Sequence, residues 1–388
     1  MSASPPPPVP CDVLVIGAGP AGLAAGACLR RAGLEPTIIE RGAAVGASWR
    51  NHYDRLHLHT VKGHSALPFM PFPVSVARYP SRLDVIAYLE SYARAFDLAP
   101  RLGEEVHRVY RETDGWHCET SRARYVAPDV VIATGYNRVP VSPTWPCQDL
   151  FHGTIRHSAT YRSPAPFRGR KVLVVGIGNT GAEIALDLAG HGSQPSISVR
   201  NPVVVVPRDF RGRSTQESGI LLLRLRLPVA VRDWLGRAMS RRAFGDLEPW
   251  GLRRAAFGPI ALIERSGRLP VVDIGTIAAI KAGSIVIAPD IARFTEDGVV
   301  FVDGTELPFD DVILATGYRP GLGDFLEGAD AALDARGYPK HATGDVPGLH
   351  FVGFDRPKAG MLREIAITAP QVAAAIAARR STGPSRST

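Results

Sequence analysis

A short apolar run that leads directly into a Gly-x-Gly-x-x-Gly motif and then into a helical stretch occurs twice in this chain. In the first copy the glycine motif spans residues 17–22, and in the second it spans residues 176–181. In such a unit the first glycine makes a tight turn, the second lets the backbone approach a phosphate, and the third lets helix and strand pack closely. The two copies therefore predict an α/β protein with two Rossmann-like dinucleotide-binding domains.

The residues that end the next apolar run differ between the two copies. The first run ends in Glu40, 23 residues beyond Gly17, and a carboxylate there can accept hydrogen bonds from both ribose hydroxyls. The second ends in Arg200, 24 residues beyond Gly176, and a guanidinium can bind the 2′-phosphate that a carboxylate would repel. We therefore predict FAD in the first unit and NADPH in the second. A solvated surface charge is the alternative interpretation of Arg200.

The predicted cofactor-binding residues lie in or near these two motifs. In the first part of the chain they are Gly17, Ala18, Gly19, Pro20, Ala21, Gly22, Glu40, Arg41, Trp49 and His59. Around the second motif they are Gly176, Ile177, Gly178, Asn179, Thr180, Gly181 and Arg200.

A second internal repeat indicates how the domains are arranged along the chain. Residues 130–136 and 312–318 are each an apolar strand followed by Thr-Gly-Tyr, one before and one after the second glycine motif. We interpret them as the points where the chain leaves and re-enters the first domain. The prediction is an FAD-binding domain at 1–145 and 310–388, with the NADPH-binding domain at 146–309 inserted into it.

Composition excludes several classes of protein. The chain has 388 residues, 45% of them hydrophobic and 21% charged, so it can bury a sizeable core and is not a disordered chain. Its four cysteines include no Cys-x-x-Cys pair, which excludes a disulfide framework and a dithiol redox centre and suits a reducing cytosol. The net charge of +8 comes from scattered arginines, without a block of five like charges, so we predict no nucleic-acid partner.

Other features bear on location and metal binding. No run approaches the roughly 18 apolar residues of a membrane helix, and the proline-rich first eight residues do not form a signal peptide. We predict frayed tails at both ends and a cytoplasmic protein without stable membrane insertion. The clustered histidines His52, His57, His59 and His64 match no familiar zinc spacing, so we predict no metal site.

Four residues just before the second glycine motif carry a resemblance to a known family. Phe151, Gly153, His157 and Tyr161 follow the pattern Phe-x-Gly-x-x-x-His-x-x-x-aromatic, and in this respect the chain resembles the class B flavin-containing monooxygenases. Related Baeyer–Villiger enzymes usually end this motif in Trp followed by Pro or Asp. The Tyr161-Arg162 ending favours the flavin-containing monooxygenase branch. We interpret the motif as a linker, and His157 as a structural histidine and not as a general base.

Dispersed matches extend the resemblance over nearly the whole chain to the plant YUCCA-type enzymes. The matching residues are 53–59, Lys62, 67–68, 79–82, 88–93, 207–208, 245–246, 251–254, 270–276 and 280–281. The chain departs from the plant pattern at Thr60-Val61 and Gly63-His64. The resemblance implies that NADPH reduces FAD, that the reduced flavin forms a C4a-(hydro)peroxide with O₂, and that the flavin carries most of the chemistry.

The resemblance also implies a substrate, with alternatives that stay open. An aromatic 2-oxo acid such as indole-3-pyruvate would be oxidatively decarboxylated, and its carboxylate calls for a cation. Lys62 is the first candidate for that cation, Arg55 and Arg82 are weaker ones, and His59 is a second catalytic candidate. Lys62 as a plain surface lysine, oxygenation of a soft sulfur or nitrogen, and an NADPH oxidase or reductase remain alternatives. Monomer and homodimer both remain open.

Overall fold

A computed structural model of the chain describes residues 7–382. The predicted N-terminal and C-terminal tails lie for the most part outside the described residues. In chain order the strands are β1 Val9–Pro10, β2 Val13–Ile16, β3 Pro36–Glu40, β4 Arg101–Leu102, β5 Val106–Glu112, β6 Gly115–Thr120, β7 Arg124–Ala127, β8 Asp129–Ile132, β9 Val139–Pro140, β10 Thr154–His157, β11 Lys171–Val175, β12 Gln194–Ser198, β13 Val205–Pro207, β14 Asp209–Phe210, β15 Arg213–Ser214, β16 Val271–Asp273, β17 Val286–Ala288, β18 Ile291–Phe294, β19 Gly298–Phe301, β20 Glu306–Pro308, β21 Asp311–Leu314, β22 Tyr318–Arg319 and β23 Leu349–Phe351.

The helices are mostly shorter than four turns. They are α1 Pro20–Arg31, α2 Ala47–Arg50, α3 Arg82–Ala95, α4 Asn179–Gly190, α5 Thr215–Arg224, α6 Val229–Phe244, α7 Pro259–Ser266, α8 Thr276–Lys281 and α9 Met361–Thr382. Short 3₁₀ turns occupy Lys62–His64, Gln148–Leu150, Ser158–Thr160, Ala165–Phe167, Glu248–Trp250, Leu322–Asp324 and Asp330–Ala332.

The first compact unit comprises Met1–Arg50, Lys62–Val139 and Tyr318–Thr388. Its main sheet has the order β23-β8-β2-β3-β4, and every neighbouring pair is parallel. A sheet of order β1-β7-β6-β5 accompanies it. The central strand β2 is completely buried, as its uninterrupted apolar sequence predicts for a parallel strand that is covered on both faces.

The second compact unit comprises Asn51–Val61 and Pro140–Gly317. Its main sheet has the order β10-β21-β11-β12-β17 and is also parallel throughout. The central strand β11 leads into the second glycine motif, and its buried residues pack with the apolar residues of α4. A three-stranded antiparallel sheet, β18-β19-β20, has its own apolar cluster.

The two main sheets repeat one arrangement. In each, the strand that leads into the glycine motif lies at the centre, the strand that leads into Thr-Gly lies on one side, and the strand that ends at the predicted ribose-binding position lies on the other. This arrangement confirms the predicted fold class, two Rossmann-like domains with the second inserted into the first.

The boundaries of the compact units differ from the predicted domain boundaries. Strand β21 belongs to the second unit, where it pairs with both β10 and β11, whereas the boundary predicted at residue 310 assigned it to the first domain. The reason is that each Rossmann sheet needs a Thr-Gly strand of its own, so the repeat marks equivalent strands of two sheets. Segment 51–61 also belongs to the second unit.

Within the described residues, helix α9 is long and apolar enough to cross a membrane by length and composition. Its residues Ile365, Ala369, Val372 and Ile376 are nevertheless buried along one face, and the helix packs against α1. A buried stripe at this spacing is typical of a helix in the core of a globular domain.

Candidate functional site

The first glycine loop has the geometry of a phosphate cradle. Gly17 has φ +112°, its N–H donates to Ile39 O at 2.7 Å, and a Cβ on it would lie 2.6 Å from Ala133 O. A Cβ on Gly22 would overlap the carbonyl of Gly17. Gly19, at the N-cap of α1, has only open space within 4 Å of where a Cβ would be. The loop therefore leaves room for a pyrophosphate at a helix N-terminus.

Glu40 lies at the end of β3 beside this loop. Its Oε2 accepts from Ala18 N–H at 2.8 Å, and its Oε1 accepts from Gly42 N–H at 2.7 Å. An ionised carboxylate has about four acceptor positions, so two remain for ribose hydroxyls. Arg41 is next to Glu40 and is exposed, and Trp49 is half-buried in α2. Just before α2, Gly46 N–H donates to Ala18 O in the glycine loop.

The second glycine loop repeats the first. Gly176 has φ +103° and donates to Ser198 O at 3.0 Å, and a Cβ on Gly181 would overlap the carbonyl of Gly176. Gly178, at the N-cap of α4, again faces open space. Asn179 has a structural role, because its Oδ1 accepts from Val272 N–H at 2.7 Å. Ile177 is buried and Thr180 is half-buried.

The backbone hydrogen bonds of the two loops align them residue by residue. This alignment corrects the prediction that Arg200 is equivalent to Glu40. Gly17 donates to Ile39, and Gly176 donates to Ser198. The counterpart of Glu40 is therefore Val199, and Arg200 lies one residue further, where the first unit has Arg41. The second unit thus lacks the carboxylate that would repel a 2′-phosphate. Arg200 is exposed, and in residues 7–382 its guanidinium has no hydrogen-bond or ion-pair partner.

His59, predicted to bind cofactor, lies in the second unit, whereas the other residues predicted to bind the flavin lie in the first. Its Nε2 is 2.7 Å from Oε1 of Glu183, a residue of α4 that is only 3% exposed. Its contact is therefore with the helix that follows the second glycine motif.

Glu183 belongs to a buried acidic pair that sequence reasoning missed. Glu183 and Asp187 lie one turn apart on α4, and Tyr161 donates its hydroxyl to Asp187 Oδ2 at 2.8 Å. Arg55 lies 3.6 Å from the other oxygen of Asp187. Burial and the nearby Glu183 raise the pKa of Tyr53, and burial and Asp187 raise the pKa of Tyr161. These contacts dock segment 51–61 onto α4. The signal in the sequence that could have predicted this buried pair is two carboxylates four residues apart within an apolar stretch.

Lys62 does not offer the cation expected for a substrate carboxylate. Its ammonium donates to the carbonyls of Val74 at 2.8 Å, Pro73 at 3.4 Å and Val76. A lysine has three N–H donors, so these bonds use all of them. Its backbone N–H also donates to Arg78 O. The structure therefore gives Lys62 the role of holding loop 73–78.

The fingerprint residues around His157 have structural partners within the second unit. Nδ1 of His157 accepts from Ala159 N–H at 3.1 Å, so Nε2 carries the hydrogen and donates to Gly317 O at 3.1 Å. Burial lowers the pKa of His157, and the bond to Gly317 partly opposes this. A Cβ on Gly153 would lie 2.5 Å from Asp310 O, so a larger residue would not fit at this turn. These contacts give His157 structural hydrogen bonds within the second unit, and the interpretation of the motif as a linker stays a prediction.

Four cysteines and one acidic cluster are further groups with potential reactivity. All four cysteines are free thiols, and burial raises the pKa of Cys28 to about 12, which makes it a poor nucleophile. Glu112, Asp114 and His117 bring three potential ligand atoms within 4.8 Å of one another. Two of these residues are exposed, and the histidine ring lies 2.7 Å from Asp114 Oδ1. Sequence reasoning did not single out this group.

Comparison with known proteins shows the family. A family model described as pyridine nucleotide-disulphide oxidoreductase matches residues 14–208. The indole-3-pyruvate monooxygenase YUCCA1 of Oryza sativa subsp. japonica is 40% identical over 349 residues, 88% of this chain and 86% of that protein. The probable indole-3-pyruvate monooxygenase YUCCA1 of Arabidopsis thaliana is 40% identical over 352 residues, 88% and 84% of the two chains. The chain belongs to the flavin-containing monooxygenase family.

Solved structures agree with this assignment. The flavin-containing monooxygenase from Stenotrophomonas maltophilia is 26% identical, covers 96% of this chain and 99% of its own, and has a TM-score of 0.71. The bacillithiol disulfide reductase from Bacillus cereus, at 19% identity and a TM-score of 0.69, shows the fold alone. The predicted resemblance and the assignment as a flavin-dependent monooxygenase are thus confirmed, and the family uses a flavin and a nicotinamide cofactor.

Proposed function

We propose that this monooxygenase oxidatively decarboxylates an aromatic 2-oxo acid of the indole-3-pyruvate type. The observation that carries the proposal is 40% identity over 88% of the chain to relatives named as indole-3-pyruvate monooxygenases. The reaction balances as 2-oxo acid, O₂, NADPH and a proton giving the acid one carbon shorter, CO₂, water and NADP⁺. One oxygen atom of O₂ enters the new carboxylate, and the other leaves as water.

We propose FAD for the first glycine loop and NADPH for the second. Gly17–Gly22, Glu40, Arg41 and Trp49 would hold the flavin nucleotide, because the open space at Gly19 and the two remaining acceptor positions of Glu40 fit a pyrophosphate and a ribose. Bound flavin supplies oxygen activation, and bound NADPH supplies the reducing equivalents. The chain itself supplies binding and orientation.

In this proposal, Arg200 makes the second glycine loop prefer NADPH to NADH. Gly176–Gly181 would hold the pyrophosphate, and the guanidinium of Arg200, which has no partner within residues 7–382, would bind the 2′-phosphate with charge-assisted hydrogen bonds. Val199 at the position equivalent to Glu40 supports this, because it removes a carboxylate from that position.

A second candidate function is oxygenation of a soft sulfur or nitrogen atom. The observation that favours it is that all three N–H donors of Lys62 are used by carbonyls, so this lysine is not available to a substrate carboxylate. The departures from the plant pattern at Thr60-Val61 and Gly63-His64 flank the same lysine. A neutral thioether substrate needs no cation.

The experiment compares substrate classes on the purified holoenzyme. Indole-3-pyruvate, phenylpyruvate, a thioether and a tertiary amine are incubated separately with NADPH, and products, NADPH and hydrogen peroxide are quantified. The proposal expects the one-carbon-shorter acid from the 2-oxo acids, matched to NADPH consumed. Oxygenated thioether or amine, with only hydrogen peroxide from the 2-oxo acids, would establish the second candidate. Peroxide from every substrate would identify an NADPH oxidase.

We also propose a cytosolic location. The four free thiols, with Cys147 exposed, support a reducing compartment. Fractionation of cells producing the full chain would place it in the soluble fraction, and recovery with membranes would contradict the proposal.

A further inference from the structure

The surface of the second unit contains a cleft that the cofactor loops do not account for. It encloses about 30 Å³, and we call it the basic cleft because the side chains of Arg237, Arg241 and Arg254 line it. Phe257 and Pro259 contribute to its apolar wall. Residues of the second glycine loop do not line it.

The basic cleft is built partly by a motif whose role the proposed function leaves unexplained. The stretch Gly245–Arg254 is one of those that resemble the YUCCA-type enzymes. In the structure Arg254 donates to Ser240 Oγ at 2.6 Å and to Gly245 O at 2.7 Å, and it forms a β-bridge with Val203. The motif therefore fixes one arginine of the cleft against the C-terminal part of α6.

Acids balance the positive charges of the basic cleft only in part, through the electrostatic attraction between Asp246 and Arg254. In residues 7–382, no carboxylate lies within 4.0 Å of these three guanidinium groups. Arg237 donates to Ala256 O at 2.8 Å, and the Arg241 side chain has no hydrogen-bond partner in the same range. The nearby acids are used elsewhere: Asp233 accepts from Ile260 N–H at 2.8 Å, and Asp246 accepts from Glu248 N–H at 3.1 Å.

Arg237 and Arg241 are exposed and Arg254 is half-buried, so the cleft presents three positive charges that are accessible from solvent. Arg237 and Arg241 are four residues apart on α6, a spacing at which like charges repel. Burial and the charge of Arg241 lower the pKa of Arg254, and the charge of Asp246 partly opposes this. An anion between the three groups would offset their mutual repulsion.

We propose that the basic cleft is a binding site for a small oxyanion, either a phosphate or a carboxylate group. The volume of about 30 Å³ accommodates a group of a few heavy atoms and not a dinucleotide. Arginine suits such a ligand because its planar fork can donate two parallel hydrogen bonds to an oxyanion. Arg241 is the main donor, since its side chain forms no other hydrogen bond within residues 7–382. The proposal is independent of the substrate of the enzyme.

The test uses the full-length holoenzyme with saturating NADP⁺, so that phosphate cannot compete at Arg200. Inorganic phosphate, acetate and pyruvate are titrated separately by calorimetry at constant ionic strength. We expect saturable binding of one of these anions, and Arg241→Gln should weaken it about tenfold, as for a lost charge-assisted hydrogen bond. The anion that binds more tightly identifies the class as phosphate or carboxylate.

Two controls separate this site from general charge effects. Arg242→Gln removes the neighbouring arginine of α6, which does not line the cleft, and should leave binding unchanged. Arg200→Gln should also leave it unchanged, which distinguishes the cleft from the proposed nicotinamide site. No saturable binding in the wild type, equal weakening by Arg241→Gln and Arg242→Gln, or loss in Arg200→Gln would overturn the proposal.

Discussion

At the scale of single residues, the two glycine loops differ in the side chains near their predicted ribose-binding positions. Glu40 completes the first loop by accepting two backbone N–H groups, whereas the second loop has Val199 and then Arg200. We predict that Arg200→Gln weakens NADPH binding by about 1–3 kcal/mol, the scale of lost charged hydrogen bonds, and leaves NADH binding unchanged. Steady-state KM values for both cofactors measure this. An equal rise for both would show that Arg200 does not contact the 2′-phosphate.

His157 predicts a pH dependence of stability. Its pKa is lowered in the folded state, so folding favours the neutral ring. Its contribution is complete above the ordinary histidine pKa of about 6.5 and is lost as the pH falls below it towards the lowered value. His157→Gln can keep the bond to Gly317 without titrating. We predict that the wild type loses more unfolding free energy than this variant between pH 7.5 and pH 5. Parallel losses in urea denaturation would contradict this.

We predict that substitution of Lys62 changes the stability of the protein but not its binding of a 2-oxo acid. Because its ammonium holds loop 73–78 through carbonyls, Lys62→Met should lower the unfolding free energy by about 1–3 kcal/mol. The KM for a 2-oxo acid should change less than threefold under conditions where the variant is folded. Thermal unfolding and steady-state kinetics measure the two effects. Lys358→Met, at a lysine elsewhere in the chain, controls for loss of charge. A large rise in KM with unchanged stability would restore the substrate-binding role.

At the scale of elements, each glycine loop contains one glycine required by packing and one that leaves space. We predict that Gly181→Ala destabilises the protein by more than about 3 kcal/mol, because its Cβ would overlap the carbonyl of Gly176. Gly178→Ala should change stability by less than about 0.5 kcal/mol, because its φ of −68° suits alanine and its surroundings are open.

Cofactor binding distinguishes these two effects. Gly178→Ala should raise the KM for NADPH at least tenfold despite normal stability, since the methyl group would occupy the space where a pyrophosphate approaches the backbone. Unfolding curves and NADPH kinetics on both variants provide the measurement. A Gly178→Ala enzyme with the wild-type KM would show that this open space does not hold the cofactor.

The elements also show which parts of the fold can be predicted from sequence patterns and which cannot. The strand–glycine–helix units predicted β2, α1, β11 and α4, because local turn chemistry and buried strands leave direct marks in the sequence. The docking of segment 51–61 on α4 left only the two acids Glu183 and Asp187 as a signal. Their partners Tyr161, Arg55 and His59 are distant in sequence, and nothing in the local pattern pairs them.

At the scale of the whole molecule, the two-domain order followed from the repeats, but the boundaries did not. The Thr-Gly repeat indicated two crossings of the chain, although β21 completes the second sheet through parallel pairing with β10 and β11. Register was also inaccessible: counting residues from each glycine motif equated Glu40 with Arg200, and the backbone bonds of Gly17 and Gly176 show an offset of one. Both errors concern pairing between distant strands, which composition and periodicity do not encode.

The central claim is that this chain uses NADPH and O₂ to insert one oxygen atom into an aromatic 2-oxo acid as it loses CO₂. Turnover of indole-3-pyruvate under ¹⁸O₂, followed by mass spectrometry of the acid and by NADPH consumption, tests it most directly. We predict that indole-3-acetate forms with one ¹⁸O atom per molecule, and that its amount is close to the amount of NADPH oxidised. NADPH oxidation matched by labelled hydrogen peroxide, with no labelled acid, would contradict it.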